Sequence, residues 1–354
     1  MIDLYALHGG ADPVDQNGCA HIRLLRPLSH PLLAGAVRLT HGVVSPDGNP
    51  DLVIIDRFVK WSPIDRRERL GALVAALRLR RIPFVYSLDD NILDLHLDAP
   101  WHPFPGDDLR NLVRFLARRA DGLIVSTPAL RDRVSFLNQR IAVVPNALDE
   151  RLFTEKSAPP ESRKQQDRIT VGYMGTGTHD RDLMMVLSPL REVLSRYKGR
   201  VALELVGVSE DPRIPMLFSG LPVTMKSPGP DNFYPRFPAW MQANLGWDLA
   251  IAPLEDNAFT RCKSDMKFLD YGILGVPAVF SDVPAYADSV RHRETGLLAA
   301  NEPRIWREAL IELIENAPLR TAIGAAAFEH VRSRRMLAQM APQWLAALEN
   351  FVGV

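Results

Sequence analysis

Cys262-Lys263-Ser264-Asp265-Met266-Lys267-Phe268-Leu269-Asp270-Tyr271-Gly272-Ile273-Leu274-Gly275-Val276-Pro277, running on into Ala278-Val279-Phe280, reads as a loop, a helix, a Gly-Val-Pro corner and a strand. Lys263 and Ser264 fall where the helix is expected to begin. Unpaired N–H groups and the positive end of the helix dipole collect at such a point, which suits a phosphate. Lys263 and Lys267 stand four apart, a spacing that places both ammonium groups on one helical face. Asp270 follows three residues later on the same side. Two cations and a carboxylate of this kind suit a nucleotide diphosphate, with amides and lysines for the phosphates and the carboxylate for vicinal hydroxyls. The competing reading is an amphipathic surface helix with solvated lysines.

Upstream, residues 168–175 read as a strand into a loop, Gly175-Thr176-Gly177-Thr178-His179-Asp180, that leads to a helix ending near Leu190. A glycine- and hydroxyl-rich loop between a strand and a helix is a phosphate cradle by construction. It lacks the lysine of a P-loop and the full dinucleotide fingerprint. His179 fits a phosphate or sugar contact there, or equally a cap or loop hydrogen bond. Residues 201–206 and 248–254 read as further strands, the latter feeding the loop from Glu255 to Lys263. Downstream come a last strand at 296–299, helices at 306–316 and 319–333, and an apolar terminal helix at 344–351.

The first half has the same rhythm. Residues 2–7 read as a strand followed by His8-Gly9-Gly10, where glycines permit close backbone approach to a ligand, although most such pairs are only turns. Residues 21–39 suit helical and irregular structure. Asp51 to Arg57 is an apolar run bounded by charges, as expected of a buried parallel strand. An amphipathic, arginine-rich helix over 63–81 admits a solvated face or contact with an anionic membrane surface. Residues 82–88 form the next strand, which ends in Asp89-Asp90-Asn91 with Asp94 shortly after. Ligands of open α/β sheets sit beyond the carboxyl ends of strands, so paired acids here point to a site. The bland alternative is that Asp90 or Asn91 caps the next helix. A helix at 107–120, a strand at 121–127, a helix at 128–136 and a strand at 141–146 complete this half. Alternating strands and helices imply α/β architecture with doubly wound parallel sheets.

The 354 residues are comfortable for two domains. Domain boundaries are expected at 1–155, a charged linker with Pro159-Pro160 at 156–167, 168–333, and a terminal segment 334–354 packing back on the first domain. Hydrophobic residues at 47% and charged residues at 24% are the balance of a globular enzyme. Zero formal net charge gives no sign of a nucleic-acid partner. Cys19 and Cys262 are far apart and lack metal-ligand spacing, so no metal site is expected and a cytoplasmic setting is the natural one. The N-terminus has no basic region or apolar run of signal-peptide type, and no stretch approaches the roughly 20 apolar residues of a membrane-spanning helix.

With these residues in view, the chain resembles the retaining, family-4-type glycosyltransferases, in a polysaccharide-biosynthesis-like subgroup. Val143-Val144-Pro145-Asn146-Ala147-Leu148-Asp149 with Phe153 resembles the segment that ends their first domain. Asp248 to Leu254 and Lys263 to Val279 resemble their donor-site strand, helix and corner. Gly296-Leu297-Leu298 resembles the strand that follows, and Tyr86-Ser87-Leu88-Asp89-Asp90 an acceptor-side motif. The resemblance implies a GT-B fold of two Rossmann-like domains. It implies retaining, metal-independent transfer from a nucleotide sugar to a saccharide or lipid-linked acceptor, with no cofactor. Asp89, Asp90, Lys263 and Lys267 take the catalytic roles. Gly9, Gly10, Gly175, Thr176, Gly177, Thr178, His179, Ser264 and Asp270 take the donor-binding ones. The acceptor often being lipid-linked, a peripheral contact with the inner membrane face is compatible.

Three departures from the family pattern stand out. Asp270 replaces the second of two glutamates. Cys262 stands near the first, where a carboxylate often meets the transferred sugar, leaving Asp256 or Asp265 to substitute. Asp89 occupies a place where many members carry a histidine. The alternatives are a nucleotide-sugar epimerase on the same fold and a non-catalytic binding subunit.

Overall fold

The computed structural model describes residues 1–9, 18–57, 63–95, 106–153, 168–177, 179–209 and 211–352. The chain divides into two compact units: Met1–Glu150 with Asn257–Ser264 and Met336–Val354, and Arg151–Asp256 with Asp265–Arg335. The expected linker at 156–167 lies outside the described residues.

In the first unit, β1 (Ile2–Leu7), β2 (Val37–Gly42), β3 (Leu52–Ile55), β4 (Phe84–Leu88), β5 (Gly122–Val125) and β6 (Ile141–Val143) form one sheet in the order β2-β1-β3-β4-β5-β6. Every pairing is parallel. The apolar runs are buried on both faces, as crossover helices require. Val53, Ile55, Phe84 and Tyr86 pack with Leu73 and Leu116 of the helices Pro63–Leu79 and Gly106–Arg119. The alternate positions Ile54, Val85 and Ile124 pack with Trp344, Leu348 and Phe351 of the terminal helix Leu337–Phe351. Gly122 admits that helix: a Cβ there would lie 2.0 Å from the Phe351 ring.

The second unit repeats the plan. β7 (Ile169–Met174), β8 (Val201–Val206), β9 (Val223–Lys226), β10 (Leu249–Ala252), β11 (Ala278–Ser281) and β12 (Leu297–Ala299) run β12-β11-β10-β7-β8-β9, all parallel. Val171, Leu203, Ile251 and Val279 pack with Leu190, Trp306 and Leu310. On the opposite face, Trp247, Tyr271 and Phe280 make edge or tilted ring contacts.

Strand order reverses direction between β1 and β3 in one unit and between β7 and β10 in the other. In open α/β sheets, ligands are bound beyond the carboxyl ends of the strands at such a reversal. His8-Gly9 and Asp56-Arg57 stand at the first reversal; Gly175 to Gly177, His179 and Leu254-Glu255 stand at the second.

Two expectations are corrected. Residues 37–39, read above as helical or irregular, belong with 40–42 to the edge strand β2, and β9 was not anticipated. The central helix begins at Met266, later than expected.

Candidate active site

The late start of the central helix changes the reading of Lys263. Asn257 folds the preceding loop on itself: its Oδ1 accepts the N–H groups of Phe259 (3.0 Å) and Thr260 (2.9 Å). A single turn, Thr260–Cys262, follows, and Lys263 leaves it with extended backbone (φ −65°, ψ 150°). Lys263 and Lys267 are therefore not partners on one helical face. Lys263 and Ser264 belong to the first unit, Lys267 and Asp270 to the second.

Residues 257–264 form a strap across the carboxyl ends of β4, β5 and β6. Asn91 Nδ2 donates to Ala258 O (2.9 Å), Thr127 Oγ1 to Cys262 O (2.9 Å), and Asn146 Nδ2 to Ser264 Oγ (2.8 Å). Between these polar latches the Cys262 side chain is buried, a member of the same apolar core as Leu88 and Leu130. The Cys262 side chain thus anchors the strap. Asp265 is engaged as well: Arg335 grips both its oxygens (2.5 and 2.8 Å) and the Ser289 hydroxyl donates to it. Its carboxylate is a buried structural ion pair, and the expectation that it substitutes at the sugar is not realised.

Beneath the strap lies the acidic pair. Asp89 and Asp90 follow β4 and meet Arg57, which follows β3. Arg57 Nη1 lies 2.8 Å from Asp89 Oδ1 and also donates to Asp90 Oδ2. Arg57 Nη2 donates to Cys19 Sγ (2.8 Å). Lys263 Nζ stands 3.6 Å from Asp90 Oδ1 and 4.6 Å from the centre of the Phe259 ring. Burial works to raise the Asp90 carboxyl, but Lys263 and Arg57 together outweigh it and hold the group at about 2. Burial pushes the Cys19 thiol up to about 12, so it meets Arg57 as a neutral acceptor. Neither acid caps a helix: only a single turn, Ile92–Asp94, follows, with no side-chain cap from Asn91. Asn91 and Arg133 instead bind Asp94. Gly9 is buried at the end of β1; Gly10 lies outside the described residues.

Sequence reasoning did not single out Arg23, which supports the strap from below. It is fully buried, donates to Val144 O (2.7 Å) and Asn146 Oδ1 (2.8 Å), and so fixes the amide that holds Ser264. Its position before a run of apolar residues gives no signal of this in the sequence.

In the second unit, Gly175 N donates to Val206 O (3.0 Å) and His179 N to Thr176 O (3.2 Å), closing the loop over β7. Gly207 requires its glycine: φ is +65°, and a Cβ would lie 2.7 Å from Gly175 O. Thr178 lies outside the described residues. His179 precedes the short helix Asp180–Met185 and makes no side-chain cap. Its Nδ1 lies 2.7 Å from Asp182 Oδ2 and its Nε2 lies 3.2 Å from Lys267 Nζ. Lys267 also stands 5.9 Å from the centre of the Tyr173 ring. Asp270, one helical turn on, is half-buried, and no hydrogen bond reaches its carboxylate among the described residues. Burial pushes that carboxyl up to about 7, against the pull of Lys267.

Among the described residues, no group of three or more His, Cys, Asp or Glu side chains could hold a metal ion, and no helix is long and apolar enough to cross a membrane.

Residues 3–147 match the glycosyl transferase 4-like domain family. Among solved structures, Anabaena HepE in complex with UDP-glucose is similar over 99% of this chain and 100% of its own, with 16% identity and a TM-score of 0.67. Sucrose-phosphate synthase from Thermosynechococcus elongatus is similar over 99% of both chains, at 13% identity and a TM-score of 0.68. A glycosyltransferase from Rickettsia africae is similar over 99% and 98%, at 9% identity and a TM-score of 0.63. No curated protein matches the sequence. The fold shared with these structures is GT-B.

Proposed function

We propose that this chain, whose residues 3–147 match the glycosyl transferase 4-like domain family and whose fold is GT-B, is a glycosyltransferase that transfers a sugar from a nucleoside-diphosphate sugar to a saccharide or lipid-linked acceptor, with retention and without a metal. The observation that carries this reading is the grouping of Lys267, the Gly175–Gly177 loop and the Asp270 carboxylate at the β7/β10 reversal. A cation, backbone amides and a carboxylate lacking a hydrogen-bond donor match a diphosphate followed by a ribose with two vicinal hydroxyls.

Bond breaking in such a transfer runs through an oxocarbenium-like state while negative charge grows on the leaving diphosphate. Lys267 and the loop amides stabilise that charge. The departing phosphate oxygen takes the acceptor proton. Asp89 and Asp90, fixed by Arg57, orient acceptor hydroxyls or stabilise the oxocarbenium ion. Asp90 suits that work because its neighbours keep it ionised across the whole physiological range. The UDP and UDP-glucose of the HepE structures make UDP the first probe.

A thermal-shift series with UDP, GDP, ADP and their glucose conjugates tests the reading. A ligand at about 100 times its Kd stabilises by about 2.7 kcal/mol, and no shift with any of them counts against it. Incubation with donor alone separates transfer from epimerisation, since only an epimerase returns an isomerised sugar. The anomeric configuration of the product and the rate in the presence of EDTA test retention and metal independence.

Asp270 makes a pH prediction. Its ionised form accepts both ribose hydroxyls, so binding favours ionisation. UDP affinity should rise with pH, by up to about tenfold per unit below pH 7, and flatten above. Asp270→Asn should lose this limb and keep only the titration of UDP itself. Calorimetry in two buffers should show proton release near pH 7 in the native chain; identical profiles for both proteins would sink the assignment. For the unliganded chain the sign is opposite. A carboxyl raised on folding favours the folded state fully below its unfolded value, about 4, and that contribution is lost as pH rises through about 7.

A further inference from the structure

The second unit contains a chain of side chains that the transfer reading does not require: Asp182, His179 and Lys267. We propose that Asp182 and His179 are positioning residues that hold the Lys267 ammonium at the β7/β10 reversal. The inference rests on the proposed role of Lys267 toward a diphosphate.

The chemistry of the three groups fixes the direction of each bond. A lysine ammonium can only donate, so His179 Nε2, 3.2 Å from Lys267 Nζ, accepts. The ring is then neutral, with its proton on Nδ1, and Nδ1–H donates to Asp182 Oδ2 at 2.7 Å. The other Asp182 oxygen accepts Glu255 N at 2.8 Å. Asp182 follows β7 and Glu255 follows β10, so the carboxylate spans the two strands where the sheet order reverses. His179 and Asp182 are three apart at the start of one helical turn, the spacing that lets them face each other.

The ring is fixed by packing as well. A Cβ at residue 175 would lie 2.7 Å from His179 Cδ2, so glycine there lets the imidazole lie against the loop. Tyr173 meets the ring edge-on at 6.4 Å. The His179 and Asp182 side chains are 13% and 10% exposed, enough shelter to make the bonds persistent. A lysine loses much rotamer entropy when it is ordered by a ligand. An acceptor already fixed at the end of the side chain bears part of that cost before the diphosphate arrives.

Two substitutions at one residue separate the two ring nitrogens. Glutamine can place an acceptor where Nε2 was; asparagine reaches only the Nδ1 position. His179→Gln is expected to bind UDP within about twofold of the native chain, and His179→Asn about tenfold more weakly. Asp182→Ala should also weaken binding about tenfold. Thermal unfolding of the two His179 variants should be alike, which marks the affinity difference as local. Equal affinities for the Gln and Asn variants overturn the proposal. A second readout needs no ligand: ¹⁵N-histidine NMR, with the His179 signal identified by its loss in His179→Gln, should show protonated Nδ1 and bare Nε2. The opposite tautomer overturns the proposal even if UDP binds. A native chain with the expected tautomer that takes up no nucleoside diphosphate overturns the proposed function instead and supports the geometry of the relay.

Discussion

Lys267→Ala is expected to lower kcat/KM for sugar transfer about 100-fold, most of it in kcat. The contact strengthens as charge gathers on the departing diphosphate, so its loss weighs on the transition state more than on the bound donor. The ammonium is held against His179 and Tyr173 and cannot be replaced by a neighbour on the same helix turn, which offers Phe268 and Asp270. Lys267→Arg should recover only part of the rate, because a planar guanidinium does not match an ammonium seated against His179 Nε2. Lys263→Ala should lose about tenfold, since Lys263 already shares its charge with Asp90. Steady-state kinetics with a nucleotide sugar decide the matter. A loss under threefold at Lys267 would remove it from the mechanism.

Cys262→Glu, which puts a carboxylate near the place where the resemblance expects one, is expected to destabilise the chain by about 3–5 kcal/mol rather than improve activity. The side chain at 262 is part of an apolar core. Arg133, a cation whose field reaches residue 262, already grips both oxygens of Asp94. A new carboxylate must stay buried without a partner or pull the strap off the first unit. The first outcome lowers Tm by on the order of 10 °C. The second exposes the peptide bond after Arg261 to trypsin, read as faster cleavage there than in the native chain. An unchanged Tm with an intact strap would show that the site is roomier than its burial implies.

How much of this was legible in the sequence follows from where each residue sits in its element. β3, β4, β7 and β10 were readable because central parallel strands are apolar on both faces. β2 and β9 were not, because they are edge strands whose residues are largely half-buried or exposed, and Arg38-Leu39-Thr40 or Thr224-Met225-Lys226 carries no such run. Asp89 and Asp90 were legible because a strand of five buried residues points at them. Lys263 was misplaced because spacing alone cannot tell a helix from a folded loop. It is Asn257, six residues earlier, that turns the chain and delays the helix to Met266. Asp182 was not legible at all. Its role depends on the neighbourhood of β7 and β10, strands some 75 residues apart whose pairing (Leu249 with Val171) only the fold reveals.

The strap has a practical corollary for recombining this chain with others of the same fold. Grafting a foreign donor half between residues 150 and 336 would also import a foreign octapeptide in place of 257–264, and set it against native Asn91, Thr127 and Asn146. Hybrids built at those seams should therefore misfold or idle far more often than hybrids in which the octapeptide travels with the N-terminal half.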